Sequence, residues 1–159
     1  MEYPVIMLES LLRQEYPKDK IFYVLIDGGS TDRIVSIAKE LLRSSGIEYK
    51  VIVKESNIPE ARNLCIDLAV GDVLVFWDSD VVAPADSLSK VVLMILNSGY
   101  DIVAADIRGL VFNDVNSAIE FINTVLNSHQ AEVRDDSIVP TDVFVSMGFT
   151  AIKKEVFQH

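Results

Sequence analysis

Two aspartates one residue apart, Asp78 and Asp80, close the apolar run Val73–Trp77 in the stretch FWDSD. Paired carboxylates within so short an arc make a hard-oxygen site suited to Mg²⁺ or Mn²⁺, ions that keep several waters and bridge to ligand phosphates. Alone, such a tripeptide is more often a solvated turn or a cap. A second acidic turn, DGGSTD from Asp27 to Asp32, follows another apolar run, IFYVLI. Its glycines, Gly29 among them, suit a tight turn close to a ligand, and Ser30, Thr31 and Asp32 are candidate caps of a following helix. Between the two turns lie Arg62 and Asn63. Arg62 either reaches back to a phosphate or a base, or serves as an ordinary surface ion-pair partner.

Positioning these groups requires elements that end at the acids, and the pattern supplies them. Apolar runs alternate with helix-period segments: a helix over Met7–Tyr16, a strand over Ile21–Ile26, a helix from Arg33 to Ser44 and a strand over Tyr49–Lys54. Asn57, with Glu60 three residues on and Pro59 in the first turn, opens the next helix as a capping box. Strand VLVFW, a helix carrying Leu88, Val91, Val92, Ile95 and Leu96, and strand Asp101–Ala105 follow. Beyond Asp106 the pattern predicts a helix over Ser117–Ser128, a polar loop HQAEVRDDS and a strand-like Val143–Ile152, then the start of another helix in KKEVFQH. Strands this uniformly apolar have no wet face, so the expected class is α/β, a mostly parallel sheet with helices on both faces. In such a sheet ligands bind beyond the carboxyl ends of the strands, which places Asp27 and Asp78 over one edge.

At 159 residues the chain is the size of one domain, and its 50% hydrophobic content is near the globular average. A formal net charge of −10 argues against a nucleic-acid surface, yet an acidic chain can hold phosphate through a metal ion or helix N-termini. Cys65, the single cysteine, cannot form an internal disulfide and falls on an apolar helix face, which favours a packing role in a reducing cytoplasm. No apolar run approaches membrane-spanning length. Trp77, alternating with Phe76, is expected to pack in the core, and His129 and His159 to face solvent.

The blocks YVLIDGGSTD, NIPEARN, AVGDVLVFWDSDVVAP and GFTAIKKEVF stand in the order and spacing of family 2 glycosyltransferases, which this chain resembles over nearly its whole length. The resemblance implies the GT-A fold of nucleotide-diphospho-sugar transferases, and transfer of a sugar from a UDP-, GDP- or dTDP-linked donor to a glycan, lipid or protein acceptor with Mn²⁺ or Mg²⁺. Asp27 matches the acid that contacts the nucleoside, and Arg62 the basic residue near the base or phosphates. Asp78 and Asp80 match the Asp-x-Asp whose first acid faces the ribose and whose last binds the metal. Gly148 lies in the block lining the donor sugar and acceptor, where it permits close approach.

Three departures shape the remaining expectations. Gly28 stands where the family usually has a second acid. The segment MEYPVIMLESLL leaves no room for the family's first strand, and the general base is expected beyond His159, so residues 1–159 read as a single nucleotide-sugar-binding domain incomplete at both ends. A homo-oligomer or a partner chain would then complete it, in the cytoplasm or peripheral to the cytoplasmic membrane face. The alternatives are a non-catalytic nucleotide-sugar-binding or assembly module, and a haloacid-dehalogenase-type phosphohydrolase, a family that expects Thr where Val82 stands.

Overall fold

The computed structural model describes residues 3–105, 114–127 and 148–158. Sequence expectations for His129, His159, the loop after Ser128 and the strand-like residues 143–147 lie outside them. In chain order the elements are α1 (Tyr3–Leu12), β1 (Phe22–Asp27), α2 (Ile34–Arg43), β2 (Glu48–Val53), α3 (Ile58–Leu68), β3 (Val73–Trp77), α4 (Ser87–Ser98), β4 (Ile102–Ala104), α5 (Val115–Leu126) and β5 (Phe149–Lys153). The last seven-residue block, expected to begin a helix, makes a short 3₁₀ turn over Lys154–Phe157.

Strands β1 and β2 pair in parallel, from Phe22 opposite Glu48 to Asp27 opposite Val53. Strand β5 lies between β3 and β4 and runs antiparallel to both, with Trp77 opposite Phe149 and Ala104 opposite Thr150. It follows that β3 and β4 point the same way. The expected α/β class with same-direction strands therefore holds for β1 with β2 and for β3 with β4, and β5 is the opposed insertion. Phe149, Thr150, Ala151 and Ile152 are all buried, as a central strand covered on both faces requires.

Two apolar clusters hold the halves. One packs Leu88, Val91, Val92 and Ile95 of α4 on Val103, Phe149 and Ala151. The other packs Leu8 and Leu11 of α1 on Ala38 and Leu42 of α2, with Tyr23 and Leu25 of β1 against them. Trp77 touches both clusters. Among the described residues no hydrogen-bonded ladder joins β1 to β3. Burying a side chain such as Ile95, fully inaccessible, is worth about 1.5–3 kcal/mol at most.

Helix α1 begins and ends four residues before the expected Met7–Tyr16. Its end is set from outside the helix: the Lys18 ammonium turns back and donates to the carbonyls of Leu12 at 2.7 Å and Gln14 at 3.1 Å. Partial burial holds that ammonium below the ordinary lysine value. Helix α3 forms as expected, with Asn57 accepting from the Glu60 N–H at 2.9 Å and Glu60 accepting from the Asn57 N–H at 3.0 Å. Gly99, at φ 78°, closes α4 in the left-handed conformation. Leu96 departs from the expected face of α4: next to the fully buried Ile95, it turns outward and is 61% exposed.

Candidate functional site

The carboxyl ends of three strands share one side of the molecule. Parallel β1 and β2 end together, α3 starts a few residues after β2, and Arg62, early in α3, reaches Asp78 just past the end of β3. Through this ion pair Asp78 stands against the helix that follows β2, whose end is level with that of β1.

The β1 turn is built on its own aspartate. Asp27 is 8% exposed, and its Oδ2 accepts the N–H of Gly29 at 3.1 Å and of Ser30 at 2.9 Å. Hydrogen bonding from the Ser30 side chain, then from the two backbone groups, holds the Asp27 carboxyl below the usual carboxylate range against burial, which pushes it up. Gly29 sits at φ 103°, a conformation that side-chain-bearing residues rarely adopt, so the turn needs glycine there. Ser30 and Thr31 do not cap α2. The residue at the cap position is Arg33, which makes no side-chain cap, while Asp32 accepts the Ile34 N–H at 3.1 Å. Ser30 is drawn instead to Asp27, to whose ionised carboxylate both its N–H and its hydroxyl donate.

The β3 turn presents its acids outward. The Asp78 N–H donates to the Gly148 carbonyl at 2.8 Å, continuing the β3–β5 ladder by one bond, and the Val81 N–H donates to the Asp78 carbonyl at 3.1 Å, closing a β-turn over Asp78–Val81. Gly148 thus enters the site through its carbonyl, buried behind the turn. Arg62 Nη2 donates to Asp78 Oδ1 at 3.0 Å, an ion pair between half-exposed side chains. Asp80 is exposed and has no protein partner among the described residues. Ser79 borders an apolar crevice lined by Met7 and Leu8 of α1 and Tyr23 and Leu25 of β1.

This donor set fits a hard divalent cation. Asp78 and Asp80 offer carboxylate oxygens, and among the described residues no third acid, histidine or cysteine clusters with them. An ion held there keeps water or phosphate oxygens in its other positions, as Mg²⁺ and Mn²⁺ do. Cys65 is half-buried in α3 and burial pushes its thiol up, which suits packing rather than ligation.

Two residues that the periodicity treats as filler shape the site. Ser10 Oγ donates to the Ala83 carbonyl at 2.9 Å and accepts the Ala83 N–H at 2.8 Å. Gln14 donates to the Pro84 carbonyl at 2.8 Å and accepts the Leu88 N–H at 2.8 Å, capping α4 from the segment just after α1. Together they tie down the segment leaving the Asp-x-Asp turn. Their signal in the sequence is two polar residues four apart on an otherwise apolar helix face.

Known proteins share this architecture. A mannosyltransferase from Pyrobaculum calidifontis, PcManGT, solved with GDP-Man and Mn²⁺, superposes with a TM-score of 0.69 at 20% identity, covering 99% of this chain and 43% of that one. Residues 1–349 of Staphylococcus aureus TarS superpose with a TM-score of 0.71 at 17% identity, covering 99% of this chain and 44% of that one. These likenesses show the GT-A glycosyltransferase fold. In sequence, the S. aureus poly(ribitol-phosphate) beta-N-acetylglucosaminyltransferase TarS is 25% identical over 105 residues, 65% of this chain and 18% of the relative. Glycosyltransferase AglE of Haloferax volcanii is 28% identical over 102 residues, 64% of this chain and 34% of the relative. This chain thus matches about a fifth to a third of the length of these relatives. The sequence model of glycosyl transferase family 2 matches residues 5–159. With the fold, the ordered blocks and that match in agreement, the chain belongs to glycosyl transferase family 2.

Proposed function

We propose that this chain is the donor-binding part of a glycosyltransferase that moves a sugar from a nucleoside-diphosphate carrier to a glycan, lipid or protein acceptor, with Mn²⁺ or Mg²⁺ at Asp78 and Asp80. The observation that carries the reading is an exposed Asp80, without a partner among the described residues, next to an Asp78 already held by Arg62 at the carboxyl end of β3. Family membership supports it, as do the GDP-Man and Mn²⁺ bound by PcManGT and the UDP-GlcNAc bound by TarS 1–349. The phosphohydrolase alternative has no such support.

In this reading each residue has a separate task. Asp80 is the main ligand of the cation, and Asp78, lending the second carboxylate on the ribose side, keeps through its bond to Arg62 a guanidinium beside the diphosphate, whose oxygens match its donor geometry. Asp27 folds the β1 turn so that the exposed peptides of Gly28 and Gly29 can approach the nucleoside closely. A bound cation supplies neutralisation of the charge that builds on the departing nucleoside diphosphate. No helix among the described residues is long and apolar enough to cross a membrane. A reducing cytoplasm, with Cys65 unpaired, is the setting we propose.

Calorimetric titration with UDP, GDP and dTDP, each with Mn²⁺ and with excess chelator, tests the proposal. The expected result is metal-dependent binding of one nucleotide. A folded chain that binds none of the three overturns it, and binding without sugar transfer to any acceptor favours a binding or assembly module instead.

A further inference from the structure

Trp77 packs as the sequence leads one to expect, edge-on against Phe149 with ring centroids 4.6 Å apart and planes at 89°. Packing does not use its one polar group. The indole Nε1 donates to the Val81 carbonyl at 2.8 Å, across the whole of Asp78-Ser79-Asp80. The turn is therefore bracketed twice, by the backbone bond from Val81 N–H to the Asp78 carbonyl and by the side-chain bond from Trp77 to Val81. Phenylalanine fills much of the same space but leaves the Val81 carbonyl without this donor.

We infer that Trp77 is a positioning residue for the metal-binding turn: its indole N–H sets the pitch of Asp78-Ser79-Asp80, so that the Asp80 carboxylate stands beside Asp78 without needing a protein partner of its own. The inference rests on the donor-binding reading above. A ring wedged between the two apolar clusters is a rigid anchor, and Trp77 contacts both. The ring transmits that rigidity to a solvent-exposed turn that lacks other side-chain support over Ser79 and Asp80 among the described residues. Pre-ordering a flexible acid lowers the entropy lost when it takes up a cation, and metal affinity is where the gain is read.

The test replaces Trp77 by 3-benzothienylalanine, which keeps the bicyclic shape and puts sulfur where the N–H was, with Trp77→Phe as a second variant. UDP, GDP and dTDP are titrated against each protein with Mn²⁺ and with excess chelator, beside urea unfolding. The expected result is a loss of about tenfold in Mn²⁺-dependent affinity for whichever nucleotide the parent binds, the size of one lost hydrogen bond. Affinity in chelator stays near the parent's, and the stability of the benzothienyl protein falls by no more than about 1 kcal/mol, the net worth of the bond to Val81. Unchanged Mn²⁺-dependent affinity overturns the inference, and so does an equal fall with and without metal, which a purely structural ring would produce. A parent that binds none of the three nucleotides with Mn²⁺ overturns the donor-binding reading and this inference with it, whereas a binding parent with an indifferent variant overturns this inference alone. Should both variants unfold, the parent decides: the chain has a single tryptophan, and its indole N–H is expected to exchange slowly and to broaden when Mn²⁺ and nucleotide are added. Fast exchange overturns the inference.

Discussion

The turns after β1 and β3 start from the same residue type at the same topological place and use it in opposite ways. Asp27 is buried, and its carboxylate is spent on the N–H groups of its own loop. Asp78 and Asp80 leave the backbone of their turn to be closed by Val81, Gly148 and Trp77, so their carboxylates face outward. What separates the two is where the turn finds its donors and acceptors. A glycine-rich turn has no side chains to brace it and recruits its aspartate, while a turn braced by a neighbouring strand and an indole can leave its acids to a ligand. An aspartate after a strand is thus a loop-builder or a ligand-holder according to what else satisfies the loop.

That contrast predicts unequal responses to substitution. Asp80→Ala gives the largest effect: metal-dependent nucleotide affinity falls about 100-fold or more, since even outer-shell partners of a metal are worth 10–100-fold. The urea midpoint stays within about 0.5 kcal/mol of the parent, as at other exposed sites without a partner. Equal nucleotide affinity in mutant and parent at saturating Mn²⁺ would return Asp80 to the status of a solvated turn residue.

Arg62→Gln ranks next. The ion pair with Asp78 lies between side chains 33% and 46% exposed, so its loss changes stability by no more than about 1 kcal/mol. Removing a charged donor from beside a diphosphate costs about tenfold in nucleotide affinity, and the remaining binding becomes less sensitive to salt. Titrations at two salt concentrations check both statements. A large fall in stability with no change in affinity would make Arg62 a structural residue of α3 and leave Asp78 alone at the phosphates.

How much of this was legible before the structure differs between the same two regions. The β3 turn was readable because local pattern and position agree: VLVFW begins and ends where its apolar run does, and the acids follow at once. The α3 capping box was equally plain, since Asn57 and Glu60 need only each other. What the pattern missed depends on partners distant in the chain. Ser10 and Gln14 lie 70 residues or more from the backbone they hold, and Trp77 was readable as core but not as the donor to Val81, because an apolar run says nothing about where an indole N–H points. The antiparallel course of β5 was hidden for the same reason: FTAIK is apolar enough for either direction, and only its neighbours Trp77 and Ala104 set the register. At the β1 turn Ser30 does not cap α2 because its hydroxyl is engaged with the Asp27 carboxylate, whereas Asp32, also a candidate, accepts the Ile34 N–H.

The smallest of the expected effects tests the loop-building half of the comparison. Asp27→Asn keeps an oxygen that can accept from Gly29 and Ser30 but removes its charge, and charge-assisted bonds are roughly twice as strong as neutral ones, so the cost at pH 7 is about 1 kcal/mol. Its pH dependence has a definite sign. The folded-state value of Asp27 is depressed by Ser30 and Gly29, so the ionised carboxylate stabilises the fold fully above the unfolded value, near pH 4, and that contribution disappears as pH falls through the lower folded value. Urea midpoints of parent and Asp27→Asn should therefore lie apart by a constant amount from pH 7 down to about pH 4, and converge below it as the parent's carboxyl takes up its proton. A gap that persists undiminished at pH 2 would mean that the Asp27 bonds depend on shape and not on charge. The two turns would then differ only in which way their oxygens face.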